Sequence, residues 1–206
     1  MCVICVSPYG VRQPDRETIR TMFKRNPDSA GYMVARDGVV EIHKGFKDAE
    51  ELFRELDFEK FTEADVVVYH FRISTQAHTL AMSQPFPITE DETELKRLDS
   101  YSDYGLAHNG ILYAWSNGDK VLSDTALFIK GLVAPEIEKN GITKRLVKTI
   151  REETKGSRIC LLDAEGRFYL TGKWIFEDGL YFSNSTYEAN YYSNGYFRFS
   201  ETAKTK

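Results

Sequence analysis

Cysteine is scarce in this chain: three in 206 residues, Cys2, Cys5 and Cys160, an odd and sparse set. Such a set does not form a disulfide framework and suits a reducing compartment, so the expected location is the cytoplasm. No Cys/His spacing of a zinc motif is present, and His43, His70, His78 and His108 read as structural or loop residues. Positive charge is short as well, with 27 Lys and Arg against 31 Asp and Glu and a formal net charge of −4. That balance removes the broad positive field that gathers nucleic acid or anionic membrane, so neither is expected as a direct partner. The opening apolar stretch, Met1 to Val6, has no basic lead-in, and no later run approaches the roughly 20 residues of a membrane span. A glycine-rich phosphate loop is missing, and Ser29 lacks the strand-to-elbow context of a hydrolase serine. Without a repeat, a linker or a break in composition, residues 2–206 are expected to form one domain.

What the chain does have is 42% hydrophobic and 13% aromatic content, enough at this length to bury roughly 70% of the unfolded surface. Val3 to Val6 reads as a short buried strand, which puts Cys2 at its beginning. Asp15 to Arg25 and Lys47 to Phe61 carry helical spacing, and Ala64 to Arg72 is a β-branched strand. Ala30 to Arg36 and Val39 to Lys44 flank Asp37-Gly38, a type I′ hairpin signal, and Tyr104 to His108 and Ile111 to Ser116 flank Asn109-Gly110 in the same way. Ile73 to Ser100 reads as a long functional loop. Ser123 to Val133 and Thr143 to Glu153 read as amphipathic helices. Arg158 to Asp163, Arg167 to Ile175 and Leu180 to Ser183 follow as a meander. The aromatic segment Tyr191 to Phe199 suits either a final strand or a docking surface. Helices grouped in pairs between runs of strands point to antiparallel sheets with helices outside, not to a doubly wound parallel sheet.

Several residues carry chemistry beside an ordinary structural role. Cys2 in an apolar strand is a small buried hydrophobe. With Met1 removed it also offers a thiol and a free α-amine on one residue, and that amine has a reference pKa of about 7.7 to 8.0. Arg72 ends a strand and has the planar fork that clamps a carboxylate. Asn109-Gly110 is a turn signal, and it also joins an amide NH2 to an unhindered backbone N–H, the donors of an oxyanion hole. Asp124 complements a helix start and is equally suited to a substrate ammonium.

Taken in order, these segments resemble the class II glutamine amidotransferase domain, a member of the N-terminal nucleophile hydrolases. The resemblance rests on Cys2, on Arg25-Asn26-Pro27-Asp28-Ser29-Ala30-Gly31, on His70-Phe71-Arg72 with Thr75, on Ala107-His108-Asn109-Gly110 and on Ser123-Asp124-Thr125. A looser match covers Gly179-Leu180-Tyr181 and Ser183 to Ser185. It departs from the family at Val3, where glycine is usual, and at Gln76, where His or Ala is common.

The resemblance implies an α+β fold, a four-layer αββα sandwich of two antiparallel sheets, and hydrolysis of L-glutamine to glutamate and ammonia through a Cys2 thioester. Asn109 and Gly110 then hold the oxyanion, Arg72 with Thr75 binds the substrate carboxylate, and Asp124 binds its ammonium. Arg25 and Asp28 shape the pocket. No cofactor or metal is called for. With no synthase domain expected on this chain, ammonia is expected to pass to a separate acceptor synthetase. An amidohydrolase acting on another amide, and a catalytically silent partner-binding subunit, are the alternative readings.

Overall fold

Alternation along the strands divides the apolar residues among three cores, and that division sets the architecture. The computed structural model describes residues 1–74, 79–116, 119 and 121–188. Strand β1 (Val3–Ser7) turns Val3 and Cys5 toward helices α1 (Arg16–Arg25) and α2 (Ala49–Glu59), where they meet Ile19, Met22, Leu52 and Phe53. Its other face turns Ile4 and Val6 into a second core shared with Ala107, Cys160 and Leu162. Those three residues lie on β7 (Tyr104–Asn109) and β8 (Arg158–Asp163), whose remaining positions, Leu106, Ile159 and Leu161, enter a third core. There they pack with Phe128, Ile137, Leu146 and Ile150 of α4 (Asp124–Phe128), α5 (Ala134–Asn140) and α6 (Lys144–Glu153). Helix, sheet, sheet and helix therefore stack as four layers, the αββα sandwich expected.

Both sheets are antiparallel. The larger contains β2 (Ser29–Arg36), β3 (Val39–Phe46), β4 (Val66–Arg72), β6 (Asp99–Ser102), β10 (Ile175–Glu177) and β11 (Leu180–Phe182) in the order β10-β11-β1-β4-β2-β3-β6. The smaller runs β5-β7-β8-β9, with β5 at Phe86–Pro87 and β9 at Phe168–Thr171. Helix starts are capped by side chains: Asp15 accepts from Thr18 N, Asp48 from Glu51 N, Ser123 from Ala126 N and Thr143 from Leu146 N. The β2–β3 turn has positive φ at both Asp37 and Gly38, 52° and 79°, as a type I′ turn requires.

Three expectations need correction. Asn109-Gly110 does not turn a hairpin. The edge of β7 beside His108 is closed by Gln84, whose Oε1 accepts from His108 N at 2.7 Å, and Leu112 N donates to Asp124 Oδ2 at 2.8 Å. With no edge to return to, the chain forms a 3-10 turn at Tyr113–Trp115. The segment 73–100 is not all loop, since its described part contains a 3-10 turn at Leu80–Met82, β5, α3 (Glu92–Lys96) and the start of β6. The late strands are not one meander: β9 belongs to the smaller sheet, and β10 and β11 to the larger. The crossing passes Gly172, at φ +87°, where a Cβ would stand 2.3 Å from Ser157 O. Residues 191–199 lie outside the described residues.

Candidate active site

Antiparallel register brings the beginning of β1 beside the ends of its two neighbours. Val3 pairs with Phe71, so Cys2 stands one step beyond that pair at the level of Arg72, the last residue of β4. Cys5 pairs with Phe182 on the other side, and the chain leaving β11 reaches Ile4, where Ser183 N donates to Ile4 O at 3.0 Å. The end of β7, in the second sheet, supplies Asn109, and the start of α4 supplies Asp124.

A cavity of about 310 Å³ opens at this meeting point. Cys2, Arg72, Gly110 and Asp124 all line it, together with His108 and an apolar wall that includes Met82, Trp115 and Leu122. Four of the residues singled out from sequence thus share one space. Asp28 acts from beside it: its Oδ2 accepts from Ser74 N, and its own N–H donates to Arg72 O at 3.0 Å, which fastens the end of β4. Arg25 closes α1 and does not line the cavity. Thr75 lies outside the described residues.

Cys2 is half-buried, with Sγ 3.5 Å from Ile73 O. Burial pushes its thiol above the ordinary range, opposed by the terminal ammonium and by the Arg72 guanidinium. A thiol raised in this way needs a proton acceptor beside it before it can attack. Arg72 is 8% exposed, and its Nη2 donates to Ser74 Oγ at 3.1 Å. Burial pulls the guanidinium down from its ordinary value, while Cys2, Asp28 and Asp124 draw it back up. The cavity therefore holds a fixed positive group and a fixed negative group, suited to a zwitterionic ligand.

Asp124 is held rigidly: Oδ1 accepts from Thr125 N at 2.7 Å and Oδ2 from Leu112 N at 2.8 Å. Thr125 Oγ1 donates to Asp124 Oδ1 at 3.2 Å, so its proton is committed there, and it stands 2.8 Å from His108 Nδ1. The other ring nitrogen, Nε2, is buried and has no partner among the described residues. Burial lowers His108 to about 4, against the pull of Asp124, so the ring is neutral at physiological pH. Asn109 is 1% exposed and does not line the cavity; its Nδ2 donates to Ser183 Oγ at 2.9 Å. Gly110 has φ +153°, and a Cβ there would stand 2.1 Å from Ser157 Oγ. No group of three His, Cys, Asp or Glu among the described residues is placed to hold a metal.

Sequence reasoning overlooked the roles of His108, Trp115 and Asn184. Asn184 Nδ2 donates to Cys2 O at 2.6 Å across 182 positions, a separation that no local motif signals.

Two layers of helix around two antiparallel sheets, with Cys2 just ahead of a central strand at the cavity, make a four-layer αββα sandwich. Solved structures that share it include two amidotransferase-type enzymes of known description. One is glutamine phosphoribosylpyrophosphate amidotransferase from B. subtilis complexed with ADP and GMP, 18% identical with a TM-score of 0.54. The other is an allosteric regulatory enzyme of purine biosynthesis, 17% identical with a TM-score of 0.53. Each match covers 88% of this chain and 41% of the solved chain, so this chain spans about two fifths of their length. No protein-family model and no curated protein matches the chain.

Proposed function

We propose that residues 2–206 form a single glutamine amidotransferase domain that hydrolyses L-glutamine to glutamate and ammonia. The observation that carries this reading is the shared cavity, where Cys2, Arg72, Gly110 and Asp124 converge from separate elements. Once Met1 is removed, the freed α-amine of Cys2 takes the thiol proton, and the sulfur attacks the side-chain amide carbon. Asn109 Nδ2 and Gly110 N–H hold the oxyanion as the tetrahedral intermediate forms. The carbon–nitrogen bond breaks, the departing nitrogen takes the proton from the α-ammonium, and a γ-glutamyl thioester remains. Water then cleaves the thioester, which releases glutamate and restores the thiol. Arg72, with Thr75, pairs with the substrate α-carboxylate and Asp124 with its α-ammonium, which selects the free amino acid. Arg25 and Asp28 shape the surrounding pocket. Ammonia passes to a separate acceptor enzyme, and the reaction draws on no cofactor.

The test is release of ammonia and glutamate by mass-verified, Met1-free protein, beside Cys2→Ala and with N-acetylglutamine as a second substrate. Turnover of glutamine alone, abolished in Cys2→Ala, is the expected result. Equal turnover of the blocked substrate transfers the reading to a different amide, and retained activity in Cys2→Ala overturns it.

A further inference from the structure

The nucleophile and Asn109 stand on different sheets, and the inner faces of those sheets meet through apolar side chains. His70 Nε2 on β4 reaches His108 O at 3.1 Å, and among the described residues a serine hydroxyl ties β1 itself to β7. Ser183, 1% exposed and one residue past β11, has its Oγ 2.8 Å from Ile4 N and 2.9 Å from Asn109 Nδ2. A backbone N–H only donates, so the first bond fixes one lone pair of the hydroxyl oxygen on β1, two residues from Cys2. The second lone pair receives one N–H of the Asn109 amide. An NH2 group has two hydrogens in a plane, so anchoring one sets the direction of the other. Ser183 is itself held to β1 by its own N–H donating to Ile4 O at 3.0 Å.

We propose that Ser183 is the positioning residue of the oxyanion hole. It ties the Asn109 amide to the nucleophile's strand, so that the distance from thiol to oxyanion donor is set by one shared hydroxyl and not by the packing of two sheets. The inference rests on the reading above, in which Asn109 stabilises the oxyanion. Its physical basis is that a donor helps only when aimed at the place where charge develops, which makes small errors of orientation costly.

The experiment compares Ser183→Ala, and the same-shape pair Ser183→Thr and Ser183→Val, in Met1-free protein. Removing a whole oxyanion donor lowers kcat by about 100-fold or more, so releasing its anchor is expected to lower kcat by about 10-fold to 100-fold, with KM within about twofold. Iodoacetamide alkylation of Cys2, a displacement that builds no oxyanion, should keep the wild-type rate. Thr should retain activity and Val should lose it, which separates the hydroxyl from the filling of space. In an Asn109→Ala background, Ser183→Ala should add nothing further, because the group it aims is gone. Wild-type kcat in Ser183→Ala, equal activity in Thr and Val, or additive losses in the double variant would each overturn the proposal. Slowed alkylation in step with kcat would also do so, by placing the effect on the thiol. A wild-type chain that fails to turn over glutamine removes the underlying reading and this inference together; an active chain with an indifferent Ser183 removes the inference alone.

Discussion

Asn184 donates its side-chain amide to the carbonyl oxygen of Cys2 at 2.6 Å, so the turn after β11 grips the peptide that carries the Cys2 thiol. Asn184 is fixed in return, since its Oδ1 accepts from Thr186 N at 3.0 Å and from Thr186 Oγ1 at 2.7 Å. Asn184→Ala should lower kcat about tenfold with KM little changed, as expected when a group acts through another that reacts. One hydrogen bond is worth about 1 kcal/mol, so the thermal midpoint should drop by only about 2–4 °C. Steady-state kinetics with a melting curve checks both, and an unchanged kcat refutes the assignment.

Arg72 at the end of β4 is the proposed carboxylate clamp. Arg72→Lys keeps a positive charge and loses the planar fork, so the two parallel bonds to a carboxylate become one. A loss of about 1.5–3 kcal/mol corresponds to a rise in KM for glutamine of roughly 10-fold to 150-fold. Cys2 should still react with iodoacetamide at a similar rate. An unaltered KM would show that Arg72 is a structural strand-end arginine.

Asp124 should decide whether the α-amine of the substrate matters. Asp124→Asn retains an oxygen to accept from the backbone but loses the charge opposite an ammonium. The wild type should prefer glutamine over its analogue lacking the α-amine, and Asp124→Asn should shrink that preference by about tenfold or more. If both proteins discriminate equally, Asp124 serves only the helix start and the Leu112 N–H.

Two buried histidines make stability depend on pH. Burial lowers His70 to about 3 and His108 to about 4, from an ordinary value of 6.5. His70 Nε2 is 3.1 Å from His108 O, and its buried Nδ1 has no partner among the described residues, so a second proton would find no acceptor among them. Below 6.5 the unfolded chain binds protons that the folded chain refuses. Stability is therefore complete above that pH and falls as pH drops, toward about 4 for His108 and about 3 for His70. Each histidine contributes up to about 1.4 kcal/mol per pH unit. Urea unfolding between about pH 7 and about pH 5 should show this slope, reduced in His70→Gln; a flat profile contradicts it.

The sequence made legible those parts of the fold whose signals are local. Asp37-Gly38 marks a hairpin because both residues take positive φ there, and the unbroken apolar run Val3 to Val6 marks a buried strand, which in the structure faces two cores. Asn109-Gly110 gave the same turn signal and misled, because a dipeptide states that the chain turns and not whether a strand edge is free beyond it. Gln84, 24 positions away, had already closed that edge. The meander reading failed at Gly172 for a similar reason: turn residues mark where the chain bends, not which sheet the next strand joins, and β9 and β10 lie in different sheets. Cys2, Arg72 and Asp124 were legible as chemistry-bearing types within an ordered set of motifs. Ser183 and Asn184 fell only within the looser part of that resemblance, and their bonds to Cys2, Ile4 and Asn109 were not legible, because they reach β1 from across nearly the whole chain.

The central claim is that the sulfur of a liberated Cys2 attacks the substrate. The most direct measurement is peptide mapping by mass spectrometry after acid quench of Met1-free protein turning over glutamine, with parallel labelling by a glutamine-mimicking alkylating agent. A γ-glutamyl adduct and the label are expected on the peptide that begins at Cys2, both suppressed when Met1 is retained. Modification at Cys5 or Cys160, or equal reaction of the chain that still carries Met1, would contradict it.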